Sequence, residues 1–222
     1  MNRDAYTDIV EKLRPLGVQL IAVSKTKTVE EIQALYDLGQ RDFGENYVQE
    51  LLEKQALLPK DIRWHFIGHL QTNKVKFLVP FIHMIQTVDS LKLLLEIDKQ
   101  ASKNQRVVRC LLQIFIAQEE SKFGLDQTEL DLLMLTVNRN RQEGRFSHSQ
   151  ISGCMGMASL TENKTQIREE FNQLRGIFEK IKTTFSSDPV NTLSMGMSSD
   201  FLIAIEAGST MVRLGTLIFG NR

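Results

Sequence analysis

Lys25 follows Ser24 at the end of an apolar run, Leu20-Ile21-Ala22-Val23, and beyond it the chain changes character. Thr28, with Glu31 three positions on, has the form of a capping box and opens a helix. Lys25 therefore stands where a strand gives way to its βα loop, the end that faces the ligand crevice or barrel mouth in parallel α/β folds. Apolar neighbours disfavour the ammonium form by desolvation, and a neutral amine can form a Schiff base with a carbonyl compound. The plainer alternative is a stem lying on the core with its head in water. The residues that bear on this choice are Asn46, His65, Ser194-Met195-Gly196-Met197-Ser198 and Arg213-Leu214-Gly215-Thr216.

Positioning these groups takes a regular alternation. Apolar, β-branched-rich runs predict strands at 18–25, 42–46, 63–68, 84–88, 106–117, 151–157, 192–195 and 211–219. Helical periodicity places helices at 4–14, 29–38, 48–58, 72–78, 90–103, 126–139, 163–184 and 200–207. Eight strands alternating with helices predict an α/β fold, a single (β/α)8 TIM-type barrel over 1–222. With strand eight running to 219, no helix can follow it, so the helix at 4–14 is expected to cover that part of the wall. The polar stretch 138–150 reads as a solvated loop.

Composition narrows the function. Lys+Arg and Asp+Glu both total 27, which leaves no global basic field for nucleic acid. A hydrophobic fraction of 42% supplies a core and argues against disorder. The start of the chain has early charge and no apolar signal core, and no stretch approaches the ~18 apolar residues of a membrane span; a cytoplasmic protein is expected. Cys110 and Cys154 form no disulfide framework or metal-ligand spacing and read as buried thiols. No metal site is expected, and His69, His83 and His148 are expected at the surface. Lys74 and Lys76 read as a solvated face, and the Met155/Met157 pair as apolar lining.

In barrel order the notable residues fall at strand C-terminal ends. Loops after strands seven and eight commonly bind phosphate in such barrels. Gly196 and Gly215 would let the backbone approach an anion, and Ser198 and Thr216 would add hydroxyl donors. A phosphate seat beside a deprotonatable lysine makes a pyridoxal phosphate site. A phosphate-sugar barrel enzyme without that cofactor is the weaker reading. His65, in an apolar strand, is equally readable as a hydrogen-bonded interior histidine. Lys122, after strand five, lies at the mouth end, in a stretch that reads as a solvated loop but where it could touch cofactor in transit.

Five blocks carry a resemblance: Ala22-Val23-Ser24-Lys25-Thr26-Lys27, Phe43-Gly44-Glu45-Asn46-Tyr47-Val48-Gln49-Glu50, Trp64-His65-Phe66-Ile67-Gly68-His69-Leu70-Gln71, Leu193-Ser194-Met195-Gly196-Met197-Ser198 and the stretch from Gly208 to Thr216. From end to end the chain resembles the pyridoxal-phosphate homeostasis protein family (YggS/PROSC), itself similar to the barrel domain of alanine racemase. The resemblance implies that Lys25 carries the cofactor as an internal aldimine, that Arg213 faces the pyridine nitrogen, and that Met197, Ser198, Gly215 and Thr216 receive the phosphate. It also places Asn46 and His65 near the cofactor.

An arginine opposite the pyridine nitrogen leaves that nitrogen unprotonated and the ring a poor electron sink. Racemisation needs an acid/base on each face of the α-carbon. Lys25 could serve one face. Of the three tyrosines, Tyr6 and Tyr36 fall on helices, and only Tyr47 lies near the mouth. In alanine racemase a second domain supplies the partner tyrosine, and no such domain is expected here. The expected function is a pyridoxal-phosphate holder in vitamin B6 homeostasis with no catalytic residues and without robust turnover. The alternative is an amino-acid racemase. Expected partners are the cofactor and pyridoxal-phosphate-dependent apoenzymes, with the protein a monomer.

Overall fold

The computed structural model describes residues 1–118 and 123–220. The chain runs α1 (Arg3–Leu13), β1 (Gln19–Val23), α2 (Val29–Asp37), β2 (Asp42–Glu45), α3 (Val48–Leu57), β3 (Arg63–Phe66), α4 (Val75–Leu78), β4 (Met84–Val88) and α5 (Leu91–Lys103). It continues through β5 (Val108–Gln113), α6 (Gln127–Gln142), β6 (Ser149–Met155), α7 (Lys164–Thr184), β7 (Thr192–Ser194), α8 (Phe201–Glu206), β8 (Met211–Leu214) and α9 (Thr216–Phe219). The eight strands are parallel and close in sequence order, β8 pairing back on β1 with Ile21 opposite Arg213. This is the TIM-type barrel that the alternation predicts.

Side-chain alternation along the strands divides the core in two. Leu20, Ala22, Cys110, Leu112, Cys154 and Val212 face outward and join the helix faces in one large buried cluster. Their neighbours Ile21, Leu111, Met155 and Met211, with Met84, form a separate cluster inside the barrel. Both faces of each strand are thus buried, which is why the strands read as nearly continuous apolar runs. One irregularity is built on a glycine. The β5–β6 register shifts between Cys110 and Leu111, and Gly153, at φ +148, brings its backbone against Thr192 so closely that a Cβ would stand 1.8 Å from the Thr192 carbonyl oxygen.

Four expectations need correction. Strand eight stops at Leu214, because the Gly215 carbonyl accepts from the Ile218 and Phe219 amides at 3.0 and 2.9 Å and winds the apolar residues after it into α9. A helix therefore does follow the last strand. α1 packs against it, the Asn2 amide donating to the Ile218 carbonyl at 2.8 Å, and the two share that part of the wall. Strand five ends at Gln113 rather than 117, since the chain turns to bridge Ile114 with Leu125. The stretch 138–150 is helical as far as Gln142, started by a capping box at Asp126 and Glu129. Its Arg141 folds inward to pair with Asp188 at 2.6 Å, with its guanidinium also over the Phe146 and Phe185 rings.

The fourth correction concerns His83, which is half-buried at the N-terminal end of the barrel, its ring 5.2 Å from that of His65. Asp42, His65 and His83 bring three donor atoms within 4.8 Å of one another, a spacing that could hold a metal ion. The surroundings oppose a cation. Arg63 grips both Asp42 oxygens, at 2.7 and 2.5 Å, and the Arg109 guanidinium stands 3.4 Å from His83 Nε2. Cys110 and Cys154 are buried, and no helix among the described residues is long and apolar enough to cross a membrane.

This polar end has a pH signature. Burial lowers the proton affinity of His65, and lowers that of His83 to a pKa of about 4. Unfolded imidazoles take up protons near pH ~6.5. As pH falls through that value the unfolded state binds more protons than the folded one, so stability declines. The fully buried His65 and the half-buried His83 both contribute to this decline. Burial also opposes the Asp42 carboxylate, but hydrogen bonds from Arg63 and His65 outweigh it and hold the carboxyl well below its usual range. Its stabilisation is therefore present above ~3.9 and is lost as pH falls below it. Urea unfolding between pH 7.5 and 5.5 should show stability falling in wild type, with a shallower fall in His83→Gln. Parallel slopes would show that His83 titrates alike in both states.

Candidate active site at the barrel mouth

Lys25 lies two residues past β1, in a turn closed by the Lys27 amide donating to the Ser24 carbonyl at 3.0 Å. Thr28 caps α2 through the capping box read in the sequence. Between them Thr26 adopts φ +65, an unfavourable conformation for a β-branched residue. The turn is held from behind by a buried ion cluster. Lys54 on α3, 5% exposed, donates to the Ser24 carbonyl at 2.7 Å, to Glu45 Oε1 at 2.8 Å and to Glu50 Oε1 at 2.6 Å. Ser24 Oγ also donates to Glu45 Oε1, at 2.6 Å, and the strained Thr26 amide donates to Glu50 Oε1 at 2.5 Å. Burial raises the Glu45 carboxyl against the opposing pull of Lys54 and Ser24.

Because β1 and β8 are neighbours, Lys25 shares one small cavity, of about 60 Å³, with Val23, Lys27, Gly215 and Thr216. Arg213, at 4% exposure, points into the barrel, its Nη1 donating to Ser194 Oγ at 2.6 Å and its Nη2 to the Gly156 carbonyl at 3.1 Å. Burial lowers the guanidinium pKa to about 10, with Asp200 opposing, so it stays charged at neutral pH. Gly196 turns at φ +99, where a Cβ would meet the Ala204 Cβ at 2.7 Å, and leads into half-buried Met197 and Ser198. The Met197 amide donates to Asp200 Oδ1 at 2.6 Å. An anion seated at that amide must displace the carboxylate.

Asn46 and His65 lie elsewhere. Asn46 lines a roomier neighbouring cavity of about 410 Å³, together with Tyr47, Phe66, His69, Lys74 and Phe77. Its buried Oδ1 has no hydrogen-bond partner among the described residues. His65 is fully buried inside the barrel, with one ring nitrogen against Asp42 and the other against Gln86. Tyr47 is 59% exposed at the rim, whereas Tyr6 and Tyr36 on the wall bond to Gln40 and Asp61. Lys122 lies outside the described residues. The sequence reading missed Lys54, Gln86 and Asp200, and it quoted Glu45, Glu50 and Ser194 without a role. The one local signal was Gln86, an amide in the middle of an apolar strand.

The donor set suits a phosphorylated aromatic aldehyde. It combines an amine, hydroxyls beside glycine backbone and a buried guanidinium, all at the C-terminal ends of β1, β7 and β8. Lys54 is what holds the amine's turn in place. Lys54→Met leaves the Glu45 and Glu50 carboxylates without their cation and should cost about 3 kcal/mol or more in urea unfolding. A loss under about 1 kcal/mol, the level of an exposed pair, would show that the cluster does not clamp the turn.

The family model described as alanine racemase, N-terminal domain, matches residues 3–222. The chain is 41% identical over 209 residues to the pyridoxal phosphate homeostasis protein of Pasteurella multocida, covering 93% of this chain and 87% of that one. It is 38% identical over 221 residues to the protein of the same name from Synechocystis sp., covering 98% and 97%. Among solved structures, PipY of Synechococcus elongatus with PLP bound superposes at a TM-score of 0.85 and 34% identity, covering 98% of this chain and 99% of that one. Alanine racemase from Bartonella henselae, at 17% identity and a TM-score of 0.71 over 57% of its length, shares the barrel fold. The chain belongs to the pyridoxal phosphate homeostasis protein family, with the alanine racemase N-terminal barrel as its fold.

Proposed function

We propose that this protein binds pyridoxal 5'-phosphate through a covalent Schiff-base link to Lys25 and contributes to intracellular vitamin B6 homeostasis without robust turnover. The observation that carries this is the single cavity shared by Lys25, Gly215 and Thr216, with the buried Arg213 guanidinium on the adjoining strand. Bound there, the cofactor supplies an aldehyde for the amine and a ring whose nitrogen meets a cation. The ion cluster on α3 holds the turn that presents Lys25. Met197, Ser198, Gly215 and Thr216 are assigned to the phosphate. Asn46 offers a buried acceptor on the side of the mouth nearest Tyr47. His65 is assigned an indirect part, linked from within the barrel through Gln86 and Ser194 to Arg213.

Arg213 keeps its proton and denies it to the pyridine nitrogen, which weakens the ring as an electron sink. Tyr47, the tyrosine at the rim, is mostly exposed and poorly placed to act as a dry second acid. Storage and delivery therefore suit the site better than racemisation. Delivery implies pyridoxal-phosphate-dependent apoenzymes as receivers, a cytoplasmic setting and a monomer whose mouth stays open to them.

Absorption spectra with pyridoxal phosphate test the link. Wild type should show a band near ~420 nm that borohydride fixes to the protein, and Lys25→Ala should show neither. A wild type without the band would overturn the cofactor assignment. Exchange of amino-acid α-protons into heavy water tests turnover. Exchange no faster than with free pyridoxal phosphate is expected, and rapid Lys25-dependent exchange would make the protein a racemase-class enzyme.

A further inference from the structure

A row of buried polar side chains crosses the barrel from Arg213 to Asp42, and chemistry fixes its direction. Arginine only donates, so Ser194 Oγ accepts from Arg213 at 2.6 Å and turns its own proton to Gln86 Oε1, at 2.7 Å. That places the Gln86 carbonyl toward Ser194 and its amide nitrogen toward His65 Nδ1, at 3.1 Å. His65 Nδ1 must then be the lone-pair nitrogen, and Nε2 carries the proton, donated to Asp42 Oδ1 at 3.1 Å. Arg63 closes the row on Asp42. Every proton between Arg213 and Asp42 points the same way.

Ser194, Gln86 and His65 have no solvent exposure, and Arg213 and Asp42 have 4% and 5%. They cross a space otherwise filled by Ile21, Met84, Leu111, Met155 and Met211. Aliphatic side chains fill such barrels without the desolvation that an amide, a hydroxyl and an imidazole incur. A fully satisfied buried network does, however, fix one geometry. Its mouth end is the guanidinium.

We propose that Gln86 is a positioning residue for the cofactor ring. Through Ser194 it fixes the Arg213 guanidinium at the pyridine nitrogen, and through His65 it ties that position to the Asp42–Arg63 pair at the far end of the barrel. This rests on the cofactor assignment made above. Without Gln86, Ser194 Oγ still accepts from Arg213 but is no longer held from its other side, so the guanidinium rests on a freely turning hydroxyl and meets the ring nitrogen less well.

The test compares wild type, Gln86→Leu, Ser194→Ala and the double variant loaded with pyridoxal phosphate. The readouts are the dissociation constant and the pH dependence of the ~420 nm band, together with ¹⁵N shifts of the His65 ring in the apoprotein. Removing the bonds that Gln86 makes to Ser194 and His65 should weaken cofactor binding about five- to tenfold in Gln86→Leu and move the pH profile of the band. Ser194→Ala, the smaller perturbation of the core, should move both the same way. The double variant should be no weaker than the worse single one, as expected for members of one chain. His65 should be a neutral Nε2–H tautomer in wild type and lose that preference in Gln86→Leu. A core defect alone would lower the melting temperature and leave the pH profile in place, which overturns the proposal, as do multiplicative effects in the double variant. A wild type with no band sinks the functional reading along with this one, whereas a wild-type band that Gln86→Leu leaves unmoved sinks this one alone.

Discussion

Everything at the mouth depends on the pairing of β1 with β8. That ladder sets Ile21 beside Arg213 and Ala22 beside Leu214, although nearly the whole described chain lies between them. Lys25 meets Gly215 and Thr216 for this reason and no local one. Parallel pairing keeps both C-terminal strand ends on the same rim, so the amine and the glycine loop open on the same side. Once the ladder forms, the remaining contacts refine positions that closure has already assigned.

Two polar assemblies do the refining, at different depths. The Lys54 cluster lies behind the rim and holds a turn containing a residue at φ +65, so the strain at Thr26 persists because Glu50 and Lys54 over-determine the turn around it. The second runs down the barrel axis. Both place charge in dry surroundings, where a missing partner is expensive, and in the Lys54 cluster Glu45 Oε2 is left without a hydrogen-bond partner among the described residues. The Glu45 carboxyl, raised by burial while bonded to Lys54 and Ser24, shows how finely such a set is balanced.

The barrel was legible because strands buried on both faces and helices buried on one leave different apolar periods. The boundaries that failed did so for different reasons, one local and one tertiary. Thr216–Phe219 is apolar enough for a strand, but the Gly215 carbonyl captures the amides after it. Arg139 and Arg141 look like loop residues until Arg141 finds Asp188 on a distant segment. The strand-end residues Lys25, Arg213, Gly215 and Thr216 were visible because their place follows from strand order. Gln86 and Ser194 were not, since their roles exist only when β4 and β7 face each other across the interior. His65 was readable either as a ligand neighbour or as an interior histidine, and it lies inside, linked to Arg213 through two side chains.

The closing ladder also has a consequence in time. Parallel strands adjacent in sequence can pair as the chain is made, but β1 must wait for β8. Until then one edge of the sheet stays unpaired, and Lys25 has no glycine loop opposite it. A contact of such long sequence separation forms late and slowly. The cavity that Lys25 shares with Gly215 and Thr216 therefore exists only once the last strand docks, and any ligand gripping both sides would act as a latch on the finished barrel, slowing the reopening of its seam.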